Sequence, residues 1–461
     1  MTIPAPKNPP PGEPGRSQRL SIIEGSLANI HLAVTQSALV TGFALMLGAN
    51  EFHLGLITGL GAFATLGALA SAVILSRRGR RRTLVLASSI LSRCLWAVFC
   101  FLPFTSLPNF TKLLIFFTVL FISQWLIQMA NNGWLSWMAD LVPEETRGRY
   151  FGKRNTILGA ISMATVFLTG RAYDLFKERG YQAQGFSLIF GLAVISAALS
   201  GLVLARQWEP SAKPQDPQPP LKIFGQALGD GNFRPLLLFF ILWSLATSVA
   251  GPFFGAHMIK NLGMPYSVIA LYSIIAGILN LLIQPLWGRV IDRIGNRPVL
   301  VFNMLGIFFL PLFWLLATPD FYLPIWIDAF LTGIFWPGFG LATFNLLLST
   351  APEKNRASYL AVQSVATGLS IFAASLLGGL LAQSLSRISF YFLGLRLINF
   401  HLLFILSAGL RLALLPLALG LREDRAGTLG TLLDIMGNKA SQLFTEGLRS
   451  GVMVVKKLSR R

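Results

Sequence analysis

Twelve apolar stretches, each about long enough to cross a lipid bilayer, dominate this 461-residue chain. They fall near residues 25–48, 54–75, 83–103, 113–139, 155–173, 185–205, 235–259, 265–287, 299–318, 321–348, 357–386 and 397–421. A spanning α-helix needs roughly 20 predominantly apolar residues, because each adds about 1.5 Å to a path of about 30 Å. Backbone in hydrocarbon must satisfy its own N–H and C=O groups, which leaves helices or closed barrels. Runs this long suit helices. The expected fold class is all-α integral membrane, with twelve transmembrane helices. Glycine and proline inside the runs, as in GLGAFATLGALA and FWPGFG, permit close helix approach where neighbours satisfy the freed backbone.

Only 12% of residues are charged, about half the share of a soluble domain, and the mean hydropathy is +0.62. The net charge is +19. The basic residues lie between apolar runs, as expected of loops facing anionic lipid. Membrane lipid is therefore the expected partner, and nucleic acid is not. Cys94 and Cys100 sit six apart in one run, and His31, His53, His257 and His401 are scattered. No metal site and no cofactor is expected.

Loops 76–82, 140–154, 288–298 and 349–356 hold 5, 4, 3 and 2 Lys and Arg, whereas the six alternate loops hold seven together. This bias favours both termini on the cytoplasmic side, and the plasma (inner) membrane is the expected location. The polar break 206–234, RQWEPSAKPQDPQPPLKIFGQALGDGNFR, is rich in Pro and Gln. The expected division is a disordered cytoplasmic tail over 1–22, a six-helix bundle over 23–205, a cytoplasmic linker over 206–234, a second bundle over 235–421 and a cytoplasmic amphipathic tail over 422–461. In that tail apolar residues from Leu429 to Val455 recur near helical spacing beside basic ones. This suits helices lying on anionic lipid, with a disordered tail as the alternative.

The two bundles carry matching charged loops. RRGRRRTLV at 77–85 matches RIGNRPVLV at 293–301, and PEETRGRYFGKR at 143 matches PEKNRASYLAVQ at 352. The offsets, 216 and 209, are nearly equal, and each pair joins equivalent runs. Duplicated six-helix halves in one orientation are a transporter plan with the substrate site between the halves. Here the chain resembles the major facilitator superfamily over about residues 20–421. That family's loop G-x-x-x-D-R-x-G-R-R is matched by Gly288, Asp292, Arg293, Gly295 and Arg297. The first half departs from it: Ser76 replaces the aspartate and Ala72 the first glycine, while Arg77, Gly79 and Arg81 remain.

These loops, with Asp140, Arg147 and Arg356, are the gating candidates. Charged rims of the two halves can pair and hold the cytoplasmic side shut, with Asp292 reaching Arg147 or the helix start beside it. The plainer alternative is that the arginines only fix orientation. Charges within the runs are costly and so are functional candidates: Arg93, Asp328, and Arg411, which can instead snorkel; the coupling candidates are Arg93, Asp328 and Glu24, the last near a run edge. The resemblance implies that runs one, four, seven and ten line a central cavity. Run four carries Gln124, Gln128, Asn131 and Asn132 on one helical face, with hydrogen bonds between helices as the alternative. Run one offers His31, Thr35 and Gln36, run seven Trp243, Ser244 and Thr247, and run ten Trp336.

The expected function is secondary transport of a small organic solute by alternating access, by a monomer, with proton coupling left open. The rival on the same fold is a lipid or lysolipid translocator. An intramembrane enzyme is disfavoured, because no paired acids, metal cluster or activated nucleophile stands at membrane depth.

Overall fold

The computed structural model describes residues 13–78, 81–210, 220–353, 356–392 and 394–423, with Gly427 and Gly430. Gly79 and nearly all of the expected C-terminal tail lie outside these residues, and so does the Arg77 side chain.

Helix α1 (Glu13–Thr35) begins ten residues ahead of the expected bundle boundary at 23. Its polar start is buried, not free: Ser17 and Ser21 are fully covered, and Ser17 Oγ accepts a hydrogen bond from Trp208 N. At Gln36 the chain breaks and resumes as α2 (Ala38–Met46), bent by 45°. Ser37 Oγ caps the new helix by accepting from Leu39 N, the usual way to satisfy an orphan donor. Asn50 and His53 exchange side-chain hydrogen bonds with each other's backbone N–H at the start of α3 (Glu51–Phe63). A 3-10 turn leads to α4 (Gly67–Arg78). Then follow α5 (Arg81–Cys94), α6 (Ala97–Phe101), α7 (Asn109–Leu141), α8 (Glu144–Glu178) and α9 (Gln182–Leu204).

The expected linker is not wholly irregular. It contains α10 (Pro220–Gly229), and its first residues fold under the preceding half: the Trp208 carbonyl accepts from Trp137 Nε1. The second half holds α11 (Phe233–Ser248), α12 (Gly251–Lys260), α13 (Tyr266–Ile294), α14 (Asn296–Phe313), α15 (Leu323–Thr350) and α16 (Arg356–Ser384). A two-stranded antiparallel hairpin follows, β1 (Ser389–Phe392) with β2 (Leu395–Ile398), in register Ser389 to Ile398. It is the one departure from an all-helical reading among the described segments longer than a bridge. Helices α17 (Asn399–Ala413) and α18 (Leu415–Leu419) follow. Gly295, at φ 89°, separates α13 from α14 in a conformation that favours glycine, which explains the glycine of the charged loop.

Ten helical segments are long and apolar enough to cross a membrane, or eleven if α1 and α2 form one span. The remaining expected run, 155–173, lies within α8. That helix has 35 residues, ample length for a bilayer, but polar residues dilute its apolar stretch. The protein is thus an all-α membrane fold.

One end of the molecule carries the interdomain linker and the charged loops, and is called here the basic end; the other is the far end. Aromatic packing fills both halves. Phe43, Phe99, Phe116, Phe186 and Phe190 form a far-end core in the first half. Phe239, Trp243, Phe339 and their neighbours form a core in the second.

Candidate substrate pathway and gate

The halves meet chiefly where α3 packs on α16 and α8 on α13. Glycines set these contacts. A Cβ on Gly55 would lie 2.2 Å from the Ser375 carbonyl oxygen, and one on Gly368 would lie 2.6 Å from Thr65 Oγ1. Polar contacts between the halves gather at the far end. Asp174, on α8 and buried, accepts three hydrogen bonds from the start of α13: Tyr266 N at 2.8 Å, Ser267 N at 2.9 Å and Ser267 Oγ at 2.6 Å. A carboxylate here satisfies orphan N–H groups and meets the positive end of the helix dipole. Tyr266 passes into the first half's core, 4.6 Å from Tyr173 between ring centroids. Gly42 makes room for it, since a Cβ there would lie 1.8 Å from Tyr266 Oη. Lys260 Nζ pairs with Glu51 Oε1 at 2.6 Å.

At the basic end, no hydrogen bond or ion pair joins the two halves among the described residues. The candidate latch is therefore not engaged in this state. Asp292 is exposed and has no ion pair among the described residues. Arg147 turns back on its own loop, donating to the Ala139 and Val142 carbonyls. Arg81 and Asp140 do pair, at 2.6 Å, but within the first half. Arg293 and Arg356 line a polar hollow of about 590 Å³ with Asp292, Asn296 and Glu423, again inside one half. Gly288 packs near Leu341, also in that half.

The structure carries a second regularity between the halves. Glu209 accepts from the backbone N–H of Arg81 and Arg82 at the start of α5. Glu423 accepts from those of Asn296 and Arg297 at the start of α14. Arg81 and Arg297 occupy equivalent repeat positions, and the two glutamates stand 214 residues apart. The duplication therefore includes a carboxylate cap on the third span of each half. The sequence signal is only a glutamate shortly after the last span of each half, in W-E-P at 208–210 and in R-E-D at 422–424, too little to stand out.

The intramembrane candidates sort into two sets. Glu24 and Arg93 come together at 3.6 Å, with Ser200 Oγ between them, donating to Glu24 at 3.0 Å and accepting from Arg93 at 2.7 Å. This buried triad ties α1, α5 and α9 and faces the interior of the first half. His31 also points inward, its Nδ1 3.3 Å from the Ala193 carbonyl and its ring against Trp96. Thr35 and Thr247 bond to their own helices. Asn132 donates to Ala68 O and Ser71 Oγ, a link between helices. Trp243 is buried against Phe339, 4.6 Å between centroids, with Trp336 edge-on at 6.5 Å. Its neighbour Ser244 is buried as well.

The other set is less engaged. Gln124, Gln128 and Asn131 share one face of α7, are not buried, and make no side-chain hydrogen bond among the described residues. Gln36 is exposed at the break between α1 and α2. Asp328 is buried on α15; one oxygen accepts from Tyr272 Oη at 2.7 Å and the other has no partner among the described residues. Arg411 donates to the Ile307 carbonyl and stays buried rather than snorkelling. No cluster of three or more His, Cys, Asp or Glu side chains suited to a metal occurs among the described residues.

Two helical halves are thus clamped together at one end and, among the described residues, carry no polar bridge at the other. A sequence profile of the Major Facilitator Superfamily matches residues 26–249 and again residues 236–440. The chain belongs to that superfamily. It is a multi-pass membrane protein of a transporter superfamily. The tetracycline resistance protein, class E, of Escherichia coli is 26% identical over 170 residues, which span 37% of this chain and 38% of that protein. Among solved structures, a mutant form of the nucleoside transporter NupG is 12% identical with a TM-score of 0.70, covering 88% of this chain and all of that one. The xylose transporter XylE from E. coli, in an inward open conformation, is 16% identical with a TM-score of 0.61, covering 92% and 99%. These structures share the superfamily fold with this chain.

Proposed function

We propose that this protein is a secondary transporter that moves a small organic solute by alternating access, and that the described state is the inward-facing one. The observation carrying this reading is the asymmetry of the contact between halves. Asp174 and the Lys260–Glu51 pair clamp the far end, whereas the basic end has no polar bridge among the described residues. The excess of Lys and Arg in its loops supports a cytoplasmic position for that end, in a plasma (inner) membrane in this reading. Gln124, Gln128 and Asn131 on α7, with Gln36 deeper at the break between α1 and α2, are the polar groups this reading offers to a solute. The rim residues Asp292, Arg147 and Arg356 would pair only in the opposite state.

Proton coupling, in this reading, falls to Asp328. One of its oxygens is buried without a hydrogen-bond partner among the described residues, and a proton on the carboxyl would lower the cost of burying it. The protein acts as a monomer, each half supplying half of the pathway.

A thiol placed at Asn131 in a chain lacking Cys94 and Cys100 tests the scheme. An impermeant maleimide should reach it from the basic side in the parent, and from the far side only when the Asp174 clamp is broken. Labelling from both sides alike would end the alternating-access reading. Reconstituted vesicles that move labelled lipid across the bilayer, with no solute flux, would favour a lipid translocator instead.

A further inference from the structure

The basic-end part of α8 carries Arg147, Arg149, Lys153 and Arg154. Position alone explains most of these charges, but not the last. The Arg154 guanidinium lies over the Trp134 indole, 4.4 Å from the ring centroid. It is wedged against α1, where a Cβ on Gly25 would sit 2.5 Å from Nη2. It makes no hydrogen bond or ion pair with any described residue. Its Nε is buried without an acceptor, and so is the indole Nε1 of Trp134. The nearby carboxylate, Glu24, is already held by Arg93 and Ser200.

A guanidinium presents five N–H donors in a planar fork, and leaving them unmatched in a half-buried place is costly. Stacking on an indole face steadies the fork but satisfies none of its donors. The corner holds two guanidiniums and one carboxylate, so its net charge is positive. Trp134 also stands one helical turn beyond Asn131 and almost two beyond Gln128 on α7, the amides left without partners. The geometry points to Arg154 and Trp134 as the seat for an oxyanion of the transported solute, a carboxylate or a phosphate ester, whose body lies along the amide face. This rests on the transporter reading for the word "transported" only. The same oxyanion chemistry is offered by the headgroup of an anionic lipid.

Iodide, an anionic quencher of tryptophan fluorescence, tests the seat at equilibrium and needs no transport. The full-length protein is placed in nanodiscs of neutral phosphatidylcholine, and Trp134→Phe isolates the emission of that indole. The Trp134 component should be quenched by iodide about threefold more strongly in the parent than in Arg154→Gln, through attraction by a local positive charge. Neutral acrylamide should quench both equally, which certifies that the variant is folded. Benzoate should protect Trp134 from iodide, and benzamide should not. Arg154→Lys should keep the attraction for iodide but lose protection by benzoate, because a lysine lacks the fork.

Equal iodide quenching in the parent and Arg154→Gln would overturn the proposal. So would protection by phosphatidylglycerol nanodiscs with none by benzoate, which would give the seat to lipid. Neither failure touches alternating access, which stands or falls on the two-sided labelling of Asn131.

Discussion

Asp174→Asn should loosen the far-end clamp, and its effect follows from the hydrogen bonds. The carboxylate accepts three bonds at 2.6–2.9 Å from the first two residues of α13. An asparagine keeps one acceptor oxygen and turns its NH₂ towards donors. At most one or two of the three bonds survive, and none remains charge-assisted. A hydrogen bond to a charged group contributes about 1.5–3 kcal/mol. Water replaces part of that when the far end opens. A net loss of about 2–3 kcal/mol is expected, which shifts a two-state equilibrium by roughly 30- to 150-fold. Spin labels at Phe110 and Phe321, both exposed and on opposite halves at the far end, would report the change by pulsed electron resonance. The parent should show one short distance, and the variant a second, longer population. Ser267→Ala, which removes one of the three donors, should give a smaller longer-distance fraction. An unchanged distribution in Asp174→Asn would refute the assignment of Asp174 as the clamp.

Gly42→Ala should open the far end as well, since its Cβ would collide with Tyr266 Oη; the same spin pair would show it, and an unaltered distance would mean that Tyr266 moves aside freely. Glu51→Gln should matter less, changing the gate by under about 1 kcal/mol, because Lys260 is half-exposed and surface ion pairs contribute little. Glu24→Gln should lower thermal stability by about 3–5 kcal/mol, as expected when one member of a buried pair is removed, and pairing it with Arg93→Met should restore much of the loss; melting of the detergent-solubilised protein checks both. Gln128→Leu should impair solute flux while leaving the melting temperature near that of the parent, and a matched fall in both would reduce the amide face to packing.

Much of the fold was legible because the bilayer imposes a length. The runs recur as helices, and the charged loops betray the duplication through Gly295, Arg297 and Arg81. The first span hid its true start, since Ser17 and Ser21 are polar yet buried, with Ser17 held by the linker, a contact no local pattern reveals. Residues 155–173 read as a run although α8 is too diluted to pass on composition alone. The site was less legible for a related reason. His31, Asn132 and Trp243 stand out by chemistry, and chemistry does not say which way a side chain faces on a helix packed on several sides. Ser123 shows the same limit: it looks like a neutral control for Gln128, yet it bonds to Ser92 and Trp96 Nε1, so a leucine there would break packing. Asp174 and Arg154 lie in segments whose other charges read as ordinary boundary residues. Their roles come from partners nearly a hundred positions away, or from partners they lack.

The clamp also has a mechanical side. Asp174 grips α13 by its first two residues only, and that helix runs 29 residues to Ile294, about 43 Å at 1.5 Å per residue. A rod pinned at its tip has a long lever arm. A rotation of about 10° around that pivot sweeps the distant tip through roughly 7–8 Å, close to the width of a small organic molecule. Gly295 at that tip, with its positive φ, is where such a swing would be handed on to α14, and a residue with a Cβ there should stiffen the junction.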